Sequence, residues 1–212
     1  MTRDRRPGRL KGGGVRSLFA MRWFLTLLVL HGVMPAALAD DSAALWAALR
    51  EGGRVALVRH TDAPGGAGDP PGFTLDICAT QRNLSEQGRV DAVTLGGRFR
   101  AEKIAVTKVL TSRWCRARDT ANLMNIGSVE PEQSFDYAYA VSNRPRAAEL
   151  TADATSVIAA WKGPGTLVVV THGSNINLLT GADPGQGGII VVEPEPASVR
   201  HFRVLGRIPP GS

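Results

Sequence analysis

The chain has 212 residues, 43% hydrophobic and 21% charged, the composition of one ordinary globular domain with a full core. Its formal charge of +6 sits in the leader: residues 1–39 hold seven Lys or Arg against Asp4 alone, whereas residues 40–212 carry 18 basic and 18 acidic side chains. A neutral body of this kind argues against a nucleic-acid partner and against an anionic membrane surface.

Residues 1–39 read as a secretory signal. A basic start precedes the apolar run WFLTLLVL (23–30), and Ala37-Leu38-Ala39 forms a small-x-small cleavage site before Asp40. The expected organisation is therefore a signal at 1–39 and a single domain at 40–212, with an uncleaved anchor and a true start at Met21 as alternatives. Export predicts a periplasmic or secreted protein, free of the membrane once the signal is cleaved. It also permits a disulfide between the two cysteines, Cys78 and Cys115, with two separate buried thiols as the other reading. No cysteine or histidine spacing suggests a metal site.

In chain order, SAALWAALREGG predicts a short helix capped by Ser42, with Leu45, Trp46 and Leu49 on one face and Gly52-Gly53 as its end. RVALVRH (54–60) is an apolar run of the kind covered on both faces of a sheet. The loop at 61–77, rich in Gly, Pro and Asp, is long and irregular. Residues 85–102 predict a helix capped by Ser85, with Val90, Val93, Leu95 and Phe99 as its core face. TKVLTS (107–112) is a second buried strand feeding a helix at 114–126. An irregular stretch at 128–144 precedes a helix at 145–163, and TLVVVTH (166–172) is a third buried strand. A short helix (174–180) and two closing strands complete the chain. Strands alternating with helices predict an α/β three-layer sandwich, a mostly parallel sheet flanked by helices.

In such sheets, ligands bind beyond the carboxyl ends of the strands. Three apolar strands here end at reactive positions: Arg59-His60, Ser112 just ahead of Arg113 and Arg116, and His172. Two imidazoles and at least two guanidinium groups in one cleft form an anion site, because guanidinium forks match phosphate oxygens and stay charged throughout a reaction. A histidine can also attack phosphorus when one ring nitrogen is unprotonated and the other is held by a hydrogen bond.

The segments LVRHTD, TSRWCRARDTA and VVVTHGSNI together resemble the histidine phosphatase superfamily, which includes phosphoglycerate mutases and acid phosphatases; the resemblance spans about residues 54–206. It implies a phosphoglycerate mutase-like fold and a hydrolase of small phosphorylated substrates, working without metal or organic cofactor. It also implies that His60 is the nucleophile, Arg59 its neighbouring phosphate ligand, Arg116 the second arginine, and His172 the second histidine. Arg113, one helical turn before Arg116, is a further phosphate-ligand candidate. Two positions depart from the family pattern. Thr61 replaces the usual glycine and could add a hydroxyl donor, and Gly173 stands where one branch of the family carries its acid. Asp136 is then the first candidate for the general acid, with Glu132, Glu130 and Asp62 behind it. The competing readings are a silent phosphate or phosphosugar binder, a phosphohistidine or phosphoramidate phosphatase, and a phosphoglycerate mutase, against which export argues.

Overall fold

The structure is a computed structural model that describes residues 42–140 and 144–212; the expected signal and its cleavage site lie outside them. Among the described residues five α-helices and six strands follow one another, alternating up to β5: α1 (Ser42–Glu51), β1 (Val55–Arg59), α2 (Glu86–Ala101), β2 (Val106–Thr111), α3 (Cys115–Met124), β3 (Val129–Pro131), α4 (Ala147–Ala159), β4 (Thr166–Thr171), α5 (Gly173–Thr180), β5 (Ile189–Pro194) and β6 (Phe202–Ile208). The sheet order is β3-β2-β4-β1-β5-β6. The first four strands in that order run parallel, whereas β5 is antiparallel to β1 and β6 antiparallel to β5. This is the mostly parallel, helix-covered sheet the alternating pattern predicts.

Two apolar layers hold it together, and strand alternation sorts residues between them. Ala56 and Val58 of β1 join Leu45, Trp46 and Leu49 of α1, Phe99 of α2, and Ala117, Ala121 and Met124 of α3. Val55 and Leu57 point the other way, to Ala154 and Ile158 of α4 and to Ile176 and Leu179 of α5. The central strands read as unbroken apolar runs because both their faces are covered.

Helix α2 departs from expectation. Ser85 does cap it, its side chain accepting from the Gly88 N–H at 2.9 Å. Its core face, however, is Gly88, Ala92, Gly96 and Phe99, while Val90 and Val93 are half exposed. The reason is a close helix crossing: a Cβ on Gly96 would lie 1.8 Å from the Met124 carbonyl oxygen of α3. Small residues face the neighbour there because nothing larger fits.

Cys78 and Cys115 are bonded, with their Cα atoms 5.6 Å apart. The bond ties the long loop after β1 to the first turn of α3. Beside it, the Cys115 N–H donates to Gln81 Oε1 at 3.0 Å.

Two measurements check this packing. Gly96→Val is expected to cost about 3 kcal/mol by overpacking, a fall in Tm on the order of 6–12 °C in a thermal melt. Thiol titration of the denatured, unreduced protein is expected to find neither Cys78 nor Cys115 reactive, and reduction to cost about 4 kcal/mol of stability on the loop-closure model.

Candidate active site

The strand order places the carboxyl ends of β2, β4 and β1 side by side, and the ladder pairs Thr111 with Val170 and Arg59 with Thr171. The next residues along each strand, Ser112, His172 and His60, therefore emerge at one rim. The two imidazoles stand 5.5 Å apart between ring centres, inclined at 69°, and each is 2% exposed. They border a cleft of about 520 Å³ with Arg59, Arg82, Tyr137, Gly173, Ser174, Asp183 and Gln186 among its walls.

Each ring is held in a defined state. His60 Nδ1 lies 2.8 Å from the Thr61 carbonyl oxygen. A carbonyl can only accept, so Nδ1 carries the proton and the lone pair resides on Nε2. Burial, opposed by the Thr61 bond and reinforced by the nearby Arg116, Arg82 and Arg59, lowers the His60 pKa to about 3. For His172, Nε2 lies 2.8 Å from Ser112 Oγ, which already accepts from the Trp114 N–H at 3.2 Å. With the Ser112 hydroxyl donating to Nε2, the His172 proton lies on Nδ1, which is buried and has no hydrogen-bond partner. Burial first, then Arg116, hold His172 well below its ordinary range too. Both rings are neutral at physiological pH, one offering a lone pair and the other an N–H.

Arg116 lies fully buried on α3. Its Nη1 donates to Asp69 Oδ1 at 2.8 Å, its guanidinium carbon sits 5.4 Å from the Tyr137 ring centre, and its Nε and Nη2 are unpartnered. Asp69 is fully occupied in holding this arrangement, since Oδ1 also accepts from the Arg82 N–H and Oδ2 from Trp114 Nε1. Arg59 binds Asp183 at 2.9 Å while its buried Nε stays unpartnered. A Cβ at Gly173 would come within 2.9 Å of that Nε, so the bare glycine makes room for Arg59. Arg59, Arg116 and His172 each keep a buried N–H without a partner, and both arginines act electrostatically on the two rings, an arrangement suited to an oxyanion.

Three expected residues are not brought into the cleft. The Asp136 carboxylate, with no exposure, accepts from the backbone N–H of Arg113 at 2.8 Å and from its Nε at 2.7 Å and Nη2 at 2.5 Å. Burial pushes the Asp136 carboxyl upward, and these three bonds oppose it. Both Asp136 oxygens are thus committed to Arg113, whose side chain is turned to this pairing and to the adjoining cavity and not to the cleft of the two histidines. The next residue, Tyr137, faces the cleft instead, because successive side chains of an extended segment point opposite ways. Thr61 commits its hydroxyl to the Gly88 carbonyl at 2.7 Å and meets Thr120 at 3.2 Å, so it locks the β1 loop to α3 and leaves no donor for phosphate. The other acid candidates are also occupied: Glu130 pairs with Lys108, Glu132 caps Ser134, and Asp62 accepts from Ser85. Among the described residues no group of three His, Cys, Asp or Glu side chains is placed to hold a metal ion.

From sequence, Arg82 reads either as a cleft residue or as part of the cap of the next helix. The structure assigns capping to Ser85 and Arg82 to the cleft wall, where its Nε and Nη1 grip the Gly68 and Ala63 carbonyls. Asp69, Asp183 and Tyr137 have no local signal.

No family model and no curated protein matches the sequence. Solved structures do. A protein assigned as the phosphohistidine phosphatase SixA of Agrobacterium tumefaciens superposes with a TM-score of 0.51 at 19% identity, covering 75% of this chain and 99% of its own. The mycobacterial glucosyl-3-phosphoglycerate phosphatase gives 0.52 at 18%, with 75% and 99% covered, and its complex with inorganic phosphate also gives 0.52. The fold is that of the histidine phosphatases. A third chain with this fold, TTHB049 of Thermus thermophilus, gives 0.50 at 19% identity over 74% of this chain and 99% of its own.

The ionisation states can be checked directly. The ¹⁵N shifts of His60 are expected to stay those of a neutral ring at pH 5. A histidine whose pKa falls from 6.5 unfolded to about 3 folded takes up its proton only on unfolding within that window. Folding stability carried by His60 should thus be complete above pH 6.5 and decline toward pH 3, measured as the urea midpoint.

Proposed function

We propose that this protein is a phosphomonoester hydrolase acting through a phosphohistidine on His60, with a small phosphorylated substrate and no metal or organic cofactor. The observation that carries the reading is the 2.8 Å bond from His60 Nδ1–H to the Thr61 carbonyl, which leaves Nε2 as a neutral nucleophile beside unpartnered guanidinium nitrogens. In the first step the Nε2 lone pair forms a bond to phosphorus and the ester P–O bond breaks, releasing the leaving oxygen with its electron pair. In the second, water adds to phosphorus, the P–N bond breaks, Nε2 recovers its lone pair and inorganic phosphate departs with the water proton transferred to solvent. Arg59 and Arg116 neutralise the phosphoryl oxygens throughout, and the His172 Nδ1–H donates to charge that builds in the transition state. The phosphatases that share the fold, one of them seen with inorganic phosphate, support the reaction class. We infer export from the leader, and the Cys78–Cys115 bond agrees with an oxidising compartment.

One observation narrows the leaving group. Asp183 is the one carboxylate among the described residues lining the cleft; a backbone N–H from Gly185 and the Arg59 pairing hold its pKa low. It has no proton to give. Substrates whose leaving group departs without protonation are therefore favoured, which keeps a phosphoramidate or phosphohistidine substrate as the second reading.

With EDTA present, p-nitrophenyl phosphate is expected to turn over at least ~100-fold faster than an alkyl phosphate, the mark of unassisted departure. His60→Ala is expected to remove at least ~10³-fold of kcat and the acid-labile phosphoenzyme trapped by rapid quench. Turnover retained in His60→Ala would overturn the covalent route.

A further inference from the structure

We propose that the loop after β1 builds an aromatic subsite for the leaving group, so that the preferred substrates are aryl phosphomonoesters with two or more fused rings; this rests on the phosphatase reading above. Next to the phosphate cleft lies a second cavity of about 970 Å³, walled by Phe73, Leu75, Trp114, Tyr137 and Tyr139 with Pro70-Pro71 at one side. This is near the upper end of small-molecule sites. The two spaces adjoin, with Ala67, Gly68 and Tyr137 in the walls of both. Two of the aromatic walls also reach the second histidine, with Tyr137 5.1 Å and Trp114 6.0 Å from the His172 ring centre. A phosphoryl group held between His60 and Arg116 therefore sends its ester substituent past Tyr137 toward Trp114 and Phe73, whose rings stand 5.9 Å apart.

The chemistry of the walls selects among substituents. A sugar needs several free donors and acceptors, yet the charged side chains here are already engaged. Asp69 holds Arg116, Trp114 and the Arg82 N–H through its two oxygens, and Arg113 is bound to Asp136 through Nε and Nη2. The remaining surface is more apolar than polar and is dominated by the flat rings of Phe73, Trp114, Tyr137 and Tyr139, which fits a flat ring system. The walls are also fixed in advance. Prolines 70 and 71 restrict the backbone, Phe73 N–H closes a turn on the Pro70 carbonyl at 3.2 Å, and the Cys78–Cys115 bond ties the loop to α3. An aryloxide is moreover the leaving group that needs no proton, in keeping with the paired state of Asp183.

The test compares 2-naphthyl phosphate with phenyl phosphate, whose phenols are nearly equal in acidity and differ in size, and uses acetyl phosphate as a small substrate that cannot fill the cavity. Full-length protein is expected to show kcat/KM about tenfold higher for the naphthyl ester. Phe73→Ala and Tyr139→Ala are each expected to bring that ratio below about threefold; the ratio is internal to each variant, so partial unfolding does not imitate the result. Equal kcat/KM in the unaltered protein, or a preference that survives both substitutions, overturns the subsite. Acetyl phosphate hydrolysis without a naphthyl preference overturns the subsite and leaves the phosphatase reading standing. If all three esters are inert, the phosphatase reading fails, and calorimetric Kd values for the two aryl esters still decide the subsite, with equal values overturning it.

Discussion

The pairing of Arg116 with Asp69 is the contact on which the rest of the site depends. Both side chains are essentially sealed from solvent. A charge in such a place is tolerable only with its partner, and removing one member of a buried pair leaves the other stranded at a cost of about 3–5 kcal/mol. The pair also joins two segments that the chain separates widely, a helix after β2 and the Gly/Pro-rich loop after β1. Trp114 Nε1 and the Arg82 N–H complete the aspartate, so the loop is docked on α3 by charge, by an indole and by a disulfide within a few residues. Preorganisation of the cleft follows from this docking, since the same loop supplies walls to the cleft of the two histidines and to the aromatic cavity.

Around that pair the electrostatics are one-sided. Three guanidinium groups crowd two buried imidazoles, and the crowding adds to burial in keeping both rings uncharged. Two of the guanidinium groups are paired with Asp69 and Asp183, so the excess of positive charge is moderate while both rings stay neutral. The carbonyl of Thr61 and the hydroxyl of Ser112 then orient the two rings so that one presents a lone pair and the other an N–H. Neither choice requires a carboxylate, which suits a cleft whose negative charge is to come from the ligand.

Much of this was legible in residue order. RVALVRH, TKVLTS and TLVVVTH announced themselves as strands because burial on both faces demands unbroken apolar runs, and their polar ends marked the rim. The hidden features had no local signature. Glycine and alanine carry the core face of α2, and an apolar pattern cannot display a close approach that works by having little side chain at all. In SFDYAY, a carboxylate and a phenol stand one residue apart, and only the direction of an extended backbone decides which of them sees the cleft. The three-residue β3 is too short to show a period within an irregular stretch. Asp69 and Arg116 are 47 positions apart, and nothing in either neighbourhood names the other.

The bare backbone at Gly173 leaves space that a neighbouring side chain takes. Arg59 lies across that position at a distance where even one methyl group would strike it. A carboxyl side chain introduced there would make the Arg59 guanidinium move aside from its pairing with Asp183. Acquiring proton donation at this corner would require Arg59 and its tether Asp183 to be rearranged together. The shape of one crossing thus decides which side chains this corner can hold.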